Sequence, residues 1–330
     1  MNSNTEATKH PSRKKLGPLV PWRVALAAVT GLAITFGAVQ AAPAAIVLYY
    51  RATGKAADCS WIESARVISE ALRMFEGRDA IMRELTLLNH DDKLDIDEFR
   101  APERTYWIKH TGASMDGKST LAYFISEHRW MRAENPKEGV RSGDIVIDGG
   151  AHVGTFTDEA LRRGAAKVIA VEPEPVNAEC FRRNFRKEIE EGRVILVQKG
   201  VWSSETTLEL SVAKENSGMN SFVIDQGAGT SKVGVPLTKI DTLVRQLGLP
   251  RVDFIKLDIE GAEREALKGG LETLRQFRPR LMLEMYHRPD DRQVLPAVVR
   301  QAHADYGLMC GPCEFMQQSK EVVPHVYYMF

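Results

Sequence analysis

The chain has 330 residues, of which 44% are hydrophobic and 27% are charged, so it is long enough for one large domain or two small ones and its composition is that of a folded protein. The formal net charge is +0, and this balance gives no support to a polyanionic partner such as nucleic acid. The four cysteines are too few for a disulfide framework in a chain of this length.

The first fifty residues are predicted to form a tail and a membrane anchor. Residues 1–21 are polar and basic, and we expect them to be disordered. No charged residue lies between Arg23 and Arg51, and aromatic residues stand at both ends of this run. A bilayer-spanning helix needs about 20 residues, so we predict a transmembrane helix over residues 22–50 and a single-pass membrane protein. A cleaved leader and a buried core helix are the alternatives, and the flanking charges leave open which side of the membrane the rest of the chain occupies.

Residues 51–135 are predicted to form a helical linker and an N-terminal extension. Apolar residues recur at three- and four-residue steps from 60 to 89, which indicates an amphipathic helix. This helix is expected to pack on the following domain or to lie along a membrane surface. Residues 91–97 are interpreted as an acidic linker, residues 105–110 as a strand and residues 119–128 as a helix.

The stretch Asp144-Ile-Val-Ile-Asp-Gly-Gly-Ala-His-Val-Gly154 has the pattern of a buried parallel strand, a glycine-rich turn and the start of a helix. Gly150 and Gly154 permit a tight turn and a close approach of the backbone to a ligand. Backbone N–H groups and the helix dipole make such a turn a nucleotide pocket. Asp148 suits a cofactor with ammonium and sulfonium charges, whereas it would repel a pyrophosphate. The stretch favours S-adenosylmethionine, with NAD as the alternative.

Two further strands follow this turn. Residues 167–172 are predicted to be buried, and Glu172 at their end stands where an acid can accept hydrogen bonds from both ribose hydroxyls. A solvated acid at a strand end is the alternative. Residues 193–198 form the next predicted strand, and the turn Lys199-Gly200-Val201 is expected near the adenine. The polar segment 216–221 is either a substrate-side loop or plain surface.

The run Phe254-Ile-Lys-Leu-Asp-Ile-Glu-Gly-Ala-Glu263 is the second strong motif. Its first four residues are strand-like, and a lysine inside an apolar strand is costly unless it is paired. Asp258 is the expected partner of Lys256. Asp258 and Glu260 emerge at the sheet edge that also holds the acids of the first two strands. A structural ion pair with a helix cap is the alternative interpretation.

With both motifs in hand, the chain resembles the FkbM family of S-adenosylmethionine-dependent methyltransferases. The matching elements are Gly143 to Gly154, Val171 to Pro173, Phe254 to Glu263, and the pair Glu284 and His287. The resemblance covers about Arg141 to Pro289, and it implies a seven-stranded class I sheet and O-methylation of a sugar or natural-product hydroxyl. The family commonly has Asn where His152 stands, so the cofactor geometry is expected to differ locally.

The predicted fold is therefore an α/β Rossmann-like class I methyltransferase domain over residues 136–330, preceded by a single N-terminal transmembrane helix. The expected function is that of a membrane-anchored methyltransferase, dependent on S-adenosylmethionine, that methylates a hydroxyl of a sugar, glycolipid or natural product. The alternatives are a Rossmann-type NAD(P)-dependent oxidoreductase and a catalytically silent membrane adaptor. The expected partners are a hydroxyl acceptor and, through residues 22–50, a lipid bilayer, with no nucleic acid.

Site residues follow from these motifs. The expected cofactor-binding residues are Asp148, Gly150, Gly154, Glu172, Lys199 and Gly200. A hydroxyl acceptor must lose its proton, so a base should face the methyl group, and His287 and Asp258 are the candidates. No metal is expected; the alternative is a divalent ion held by Asp258, Glu260 and Glu284.

Overall fold

A computed structural model describes residues 49, 52–53, 74–110, 116–131, 139–213, 216–224, 230–316 and 321–330. The chain divides into two units, Met1–Ile46 and Val47–Phe330, and every described residue belongs to the second. The predicted tail at residues 1–21, and the predicted span at residues 22–50 apart from Tyr49, lie outside the described residues.

The predicted membrane topology requires a correction. Within the described ranges, no helix is both long enough and apolar enough to cross a bilayer, which takes about 20 predominantly apolar residues. The prediction of a single-pass membrane protein is wrong on this finding. It was based on an uncharged run in the sequence, and no described helix provides the span that it required.

From residue 74 onward, the described residues form the following helices and strands. In order they are α1 (74–84), β1 (Thr86–Asp91), β2 (Ile96–Arg100), β3 (Thr105–Lys109), α2 (Gly117–Trp130), β4 (Ile145–Gly149), α3 (Thr155–Arg162), β5 (Lys167–Val171), α4 (Pro175–Asn184), α5 (Arg186–Glu190), β6 (Val194–Val197), β7 (Gly200–Val201), β8 (Thr206–Val212), β9 (Ser231–Thr238), α6 (Ile240–Gln246), β10 (Phe254–Leu257), α7 (Glu263–Lys268), α8 (Leu271–Phe277), β11 (Arg280–Glu284), α9 (Asp291–Val299), β12 (Leu308–Cys310), β13 (Cys313–Met316), β14 (Glu321–Pro324) and β15 (Val326–Met329).

The central sheet has seven strands in the order β12-β15-β11-β10-β4-β5-β6. Strands β4, β5, β6, β10 and β11 are mutually parallel, and β15 pairs antiparallel with both β11 and β12. The predicted seven-stranded α/β sheet is confirmed. The strand order reverses between β4 and β10, and ligands of such sheets bind outside the carboxyl ends of the strands at this reversal.

Both faces of the sheet are covered, which explains why β4 and β10 are mostly apolar and fully buried. One face packs against α6, α7, α8 and α9 through side chains such as Leu243 and Leu274. The other face packs against α3 and α4 through Phe156 and Phe181. Strands β7, β8 and β9 form a separate small sheet, in which β8 pairs antiparallel with β9.

The described part of the predicted segment 51–135 contains a sheet as well as the helices α1 and α2. Strands β1, β2 and β3 form an antiparallel sheet, so the predicted strand at residues 105–110 is confirmed and the predicted acidic linker at 91–97 is wrong. Asp97 is buried and accepts hydrogen bonds from the Nδ1 atoms of His90 (2.8 Å) and His110 (2.7 Å). An acid with two such partners belongs to a folded sheet rather than to a solvated linker.

This N-terminal sheet and the helices α1 and α2 pack on the domain that contains the central sheet. Arg104 contacts Asp158 at 2.9 Å and Glu188 at 2.6 Å. The backbone N–H of Trp107 donates to Asn184 Oδ1 at 2.6 Å. A shared apolar cluster includes side chains from the N-terminal sheet, α2 and α4. Helix α2 is thereby fixed next to the glycine-rich turn.

Candidate active site

A cleft opens at the carboxyl ends of β4, β5 and β10 and encloses about 710 Å³ of empty space, partly open to solvent. Of the predicted site residues, Gly150, Glu172, Gly200 and Asp258 line this cleft. The other lining residues are Phe124, His128, Ala151, His152, Thr155, Phe156, Val171, Pro173, Asn177, Val201, Ser217, Gly218, Asn220, Phe222, Lys256, Ile259, Glu260 and Ala262.

The glycine-rich turn is shaped by packing inside the protein. Gly150 has φ +76°, and a Cβ at this position would lie 1.8 Å from the backbone oxygen of Asp258. Gly154 has φ +97°, and its Cβ would lie 2.0 Å from Cε2 of Phe185. Both positions therefore require glycine. Gly154 does not line the cleft, so its role is to let α3 begin close to α4 and α5 rather than to let a ligand approach.

Lys256 joins the ends of two neighbouring strands. Its Nζ donates to the backbone oxygen of Gly150 at 2.9 Å and lies 3.5 Å from Asp148 Oδ1 and 3.4 Å from Asp258 Oδ2. The predicted pairing of Lys256 with Asp258 is confirmed, and Asp148 is a second partner. Asp148 is fully buried behind the turn, where it also accepts from Thr157 Oγ1 at 2.7 Å. Burial raises the pKa of Asp148, although Lys256 opposes this shift.

Glu172 stands at the tip of β5 with its carboxylate fixed by two backbone donors. Oε2 accepts from the N–H of His152 at 2.8 Å, and Oε1 accepts from the N–H of Glu174 at 2.9 Å. Each carboxylate oxygen has a further lone pair for a ligand hydroxyl. The side chain is almost completely buried, and this burial raises its pKa to about 7. Lys199, predicted near the same ligand, is half-buried and does not line the cleft.

One wall of the cleft comes from residues that the sequence analysis did not assign to the site. Phe124 and His128 lie one turn apart on α2, and Phe156 at the start of α3 lies beside them. Burial and the charge of Lys256 lower the pKa of His128 to about 3, so its ring is neutral. Neither ring nitrogen of His128 has a hydrogen-bond partner among the described residues. Phe124 and His128 stand four residues apart on a helix that the sequence predicts. This spacing could have indicated that both side chains lie on one face of the helix.

The polar segment 216–221 contributes to the wall of the cleft and is not plain surface. Ser217, Gly218 and Asn220 line the cleft. Ser217 is held by His152, whose Nε2 lies 2.8 Å from its Oγ, and by Asn177, whose Nδ2 donates to its backbone oxygen at 2.9 Å. His152, at the position where the family commonly has Asn, therefore links the glycine-rich turn to this loop.

His287 lies behind the cleft among carboxylates. Its Nδ1 lies 2.9 Å from Glu263 Oε1, while its Nε2 lies 3.8 Å from Asp258 Oδ1, 3.6 Å from Glu260 Oε2 and 3.7 Å from Glu284 Oε2. Burial opposes a charge on the ring, but these carboxylates, Glu263 first, raise the pKa of His287 well above its ordinary value. Asp258 and Glu260 face the cleft, whereas His287 does not line it.

The two acids between His287 and the cleft differ in their ionisation. Burial disfavours the charge on Asp258, but Lys256 and His287 outweigh burial and lower its pKa. Burial raises the pKa of Glu260 to about 7. At neutral pH Asp258 is therefore the acid that presents a fixed negative charge to the cleft.

The cleft fits an adenosine cofactor that carries a positive charge. A fixed carboxylate, Glu172, lies at the second strand, where a ribose can donate two hydrogen bonds. The backbone of Gly150 and Ala151 forms the floor between Glu172 and Asp258. Asp258 supplies negative charge at the other side, as a sulfonium or ammonium group requires.

Comparison with known proteins identifies the domain. Residues 148–308 match the methyltransferase FkbM domain. The chain is 29% identical over 157 residues to methyltransferase sdnD of Sordaria araneosa, which is 39% of this chain and 61% of that protein. It is 27% identical over 137 residues to the hexuronic acid methyltransferase AglP of Haloferax volcanii, which is 42% of this chain and 54% of that protein. The chain thus spans between about half and three fifths of the length of these relatives.

A solved structure named as methyltransferase FkbM, from Methylobacillus flagellatus KT, covers 86% of this chain and 65% of its own, with 16% identity and a TM-score of 0.42.

The matched range 148–308 contains three of the motifs found in the sequence: the strand end at Glu172, the Phe254–Glu263 run, and the pair Glu284 and His287. The predicted cofactor also agrees with the family. The chain carries a methyltransferase domain of the FkbM family at residues 148–308, and S-adenosylmethionine is its cofactor.

Proposed function

We propose that this protein transfers the methyl group of S-adenosylmethionine to an oxygen of a small hydroxylated acceptor, with a sugar as the favoured class. The observation that carries this proposal is the placement of Glu172 and Asp258 on opposite sides of one cleft, with the glycine-rich turn between them. The first acid suits a ribose and the second suits a cation.

Glu172, Gly150 and Gly200 would form the cofactor half of the cleft. Glu172 would accept hydrogen bonds from the two ribose hydroxyls, because its carboxylate is already oriented by two backbone N–H groups. The backbone at Gly150 and Gly200 would lie along the cofactor. Asp148 and Gly154 would act through the turn, since one holds Lys256 and the other allows the packing of α3. Lys199 would act through the backbone turn that presents Gly200.

The acceptor half would be the wall formed by α2 and the loop at 216–221. The rings of Phe124, His128 and Phe156 offer apolar faces for the C–H groups of a sugar. The unpartnered nitrogens of His128 offer hydrogen bonds to hydroxyl groups. The similarity to a protein named as a hexuronic acid methyltransferase supports a sugar acceptor.

In the reaction, the bound cofactor supplies a methyl group on a sulfonium sulfur, which keeps the electron pair of the broken C–S bond. The protein's main contribution would be to hold the acceptor oxygen in line with that bond. The acceptor proton must leave as the new C–O bond forms. Of the two predicted bases, Asp258 is the proposed one, because it is ionised and reaches the cleft. His287, whose pKa is raised by its carboxylates, would act from behind Asp258, with its Nε2 3.8 Å away.

Binding and turnover test this function separately. Calorimetry of the full chain with S-adenosylhomocysteine should show saturable binding, and NAD(H) should show none. Methyl transfer from labelled S-adenosylmethionine to a panel of uronic acids, neutral sugars and phenols should favour a sugar. Asp258→Asn and His287→Gln, each checked for retained cofactor binding, should lower turnover. Tight binding of NAD(H) without binding of S-adenosylhomocysteine would contradict the proposal.

A further inference from the structure

A group of acidic side chains converges on the buried Nε2 atom of His287. Asp258 Oδ1, Glu260 Oε2 and Glu284 Oε2 lie 3.6–3.8 Å from this nitrogen. These separations are too long for hydrogen bonds. They match two ligands that share one ion, because bonds of about 2.1 Å at an angle of roughly 120° place the ligand atoms about 3.6 Å apart. One atom each from Asp258, Glu260 and His287 fall within 4.8 Å of one another.

Unpartnered atoms at the centre of this group point to a missing ligand. The side chain of His287 is 3% exposed, and its Nε2 has no hydrogen-bond partner among the described residues. The side chain of Glu284 is 1% exposed, and neither of its carboxylate oxygens has a hydrogen-bond partner there. Buried polar atoms normally have partners, so Nε2 of His287 and Oε2 of Glu284, which lie 3.7 Å apart, are evidence for an ion or a water that both would contact. The other oxygen of Glu284, Oε1, faces His325 at 3.8 Å.

The orientation of His287 is that of a metal ligand. Its Nδ1 is held by Glu263 Oε1 at 2.9 Å, and Glu263 itself is fully buried. Histidines that bind metals usually donate their other ring N–H to a carboxylate, which fixes the ring and directs the free nitrogen at the ion. Glu263 Oε1 also accepts from the N–H of Ile259 at 2.9 Å. The carboxylate that orients His287 is thus tied to the loop that carries Asp258 and Glu260.

Carboxylates outnumber the basic groups around this point. Lys256 is shared between Asp258 and Asp148, and the basic groups near Glu284 are His287 and His325. Glu260 and Glu284 have no contact with an arginine or lysine among the ion pairs of the described residues. Like charges at this spacing repel one another unless a proton or a cation lies between them.

We propose that Asp258, Glu260, Glu284 and His287 bind one divalent transition-metal ion, with Glu263 as the positioning residue for His287. One imidazole nitrogen and three carboxylate oxygens suit Mn²⁺, Fe²⁺ or Zn²⁺ better than Mg²⁺, which prefers oxygen ligands alone. Asp258 and Glu260 also line the cleft, so the ion would lie at its edge. If the proposed function holds, the ion would bind the acceptor oxygen and make its proton easier to remove; the binding site itself does not depend on that function.

The experiment is titration of the full chain with Mn²⁺, followed by the loss of the free-ion signal in electron paramagnetic resonance, with Zn²⁺ as a competitor. We expect one Mn²⁺ per chain. His287→Gln should weaken binding by more than about tenfold, and Glu263→Gln by roughly tenfold, as for other residues that orient a ligand. Glu265→Gln removes a nearby acid that contacts Ser203 and Lys268 instead, and it should bind Mn²⁺ as the wild type does.

Three results would overturn the inference: no binding of Mn²⁺ or Zn²⁺, binding unchanged in His287→Gln, or binding lost in His90→Gln, which alters the separate group of His90, Asp97 and His110. Thermal unfolding and binding of S-adenosylhomocysteine are measured on every variant, so that a misfolded protein is recognised. Cofactor binding without metal binding would reject this inference and leave the proposed function standing. Metal binding without cofactor binding would reject the proposed function and leave this inference standing.

Discussion

The charge of Glu172 should control how tightly the cofactor binds, and pH is the simplest perturbation of that charge. In the free protein the pKa of Glu172 is about 7, because the side chain is buried. Ribose hydroxyls donate to the carboxylate form, so bound cofactor stabilises the charged state and lowers this pKa. Affinity should therefore fall as the pH decreases through 7, where Glu172 takes up a proton before the cofactor can bind.

The size of the effect follows from the ionised fraction. With a pKa of about 7, roughly nine tenths of Glu172 is ionised at pH 8 and roughly one tenth at pH 6. If only the ionised form binds well, the dissociation constant of S-adenosylhomocysteine should rise about tenfold between pH 8 and pH 6. Isothermal titration calorimetry at both pH values measures this ratio directly.

Two variants separate Glu172 from other groups that titrate in this range. Glu172→Gln should bind weakly at both pH values and lose the tenfold ratio, because its amide does not ionise. Glu260, whose pKa is also about 7, lines the same cleft, and Glu260→Gln should keep the ratio. The reasoning would be refuted by a wild-type affinity that is equal at both pH values, or by an undiminished ratio in Glu172→Gln.

Three further predictions concern stability, each measured by urea unfolding. Gly154→Ala should lower the free energy of unfolding by about 2–5 kcal/mol, since the added Cβ overlaps a phenyl ring at a positive φ; a smaller loss than about 1 kcal/mol would contradict the packing. Lys256→Met should cost about 3–5 kcal/mol at pH 8 because it leaves Asp148 buried and unpaired, and less at pH 5, where Asp148 can be protonated; an equal cost at both pH values would argue against this pairing. Asp97 raises the pKa of His110, and a raised histidine pKa stabilises the folded state below the unfolded pKa and ceases to do so above the folded one. Asp97→Asn should therefore destabilise the protein more at pH 5.5 than at pH 8.5, and the opposite order would exclude this contact.

The central sheet was predictable because its strands have simple requirements. Residues 145–149 and 254–257 are covered on both faces, and such strands are mostly apolar, with Asp148 and Lys256 as a buried pair. Glu172 was also predictable, since an acid at the tip of a strand has a definite position at the sheet edge. The pairing of Lys256 followed from the cost of burying a lone ammonium group.

The parts that were not predicted depend on contacts between distant segments. Asp97 was assigned to an acidic linker, and only the folded sheet shows that two histidines bind it. The predicted pairing of Lys256 did not include Asp148, which the register of β4 and β10 places opposite Lys256. The carboxylates around Nε2 of His287 come from β11 and from the loop at Asp258. Their convergence on this nitrogen could be seen only after these two segments were placed side by side.

The wall formed by Phe124 and His128 lies upstream of the matched family range, which begins at residue 148. If this wall binds the acceptor as proposed, selectivity for the acceptor can change through exchange of this upstream segment while the proposed cofactor half of the cleft stays the same. Relatives that share the later motifs but carry a different segment before them should then differ in what they methylate, and ranking them by identity within the family domain would group enzymes with unlike acceptors.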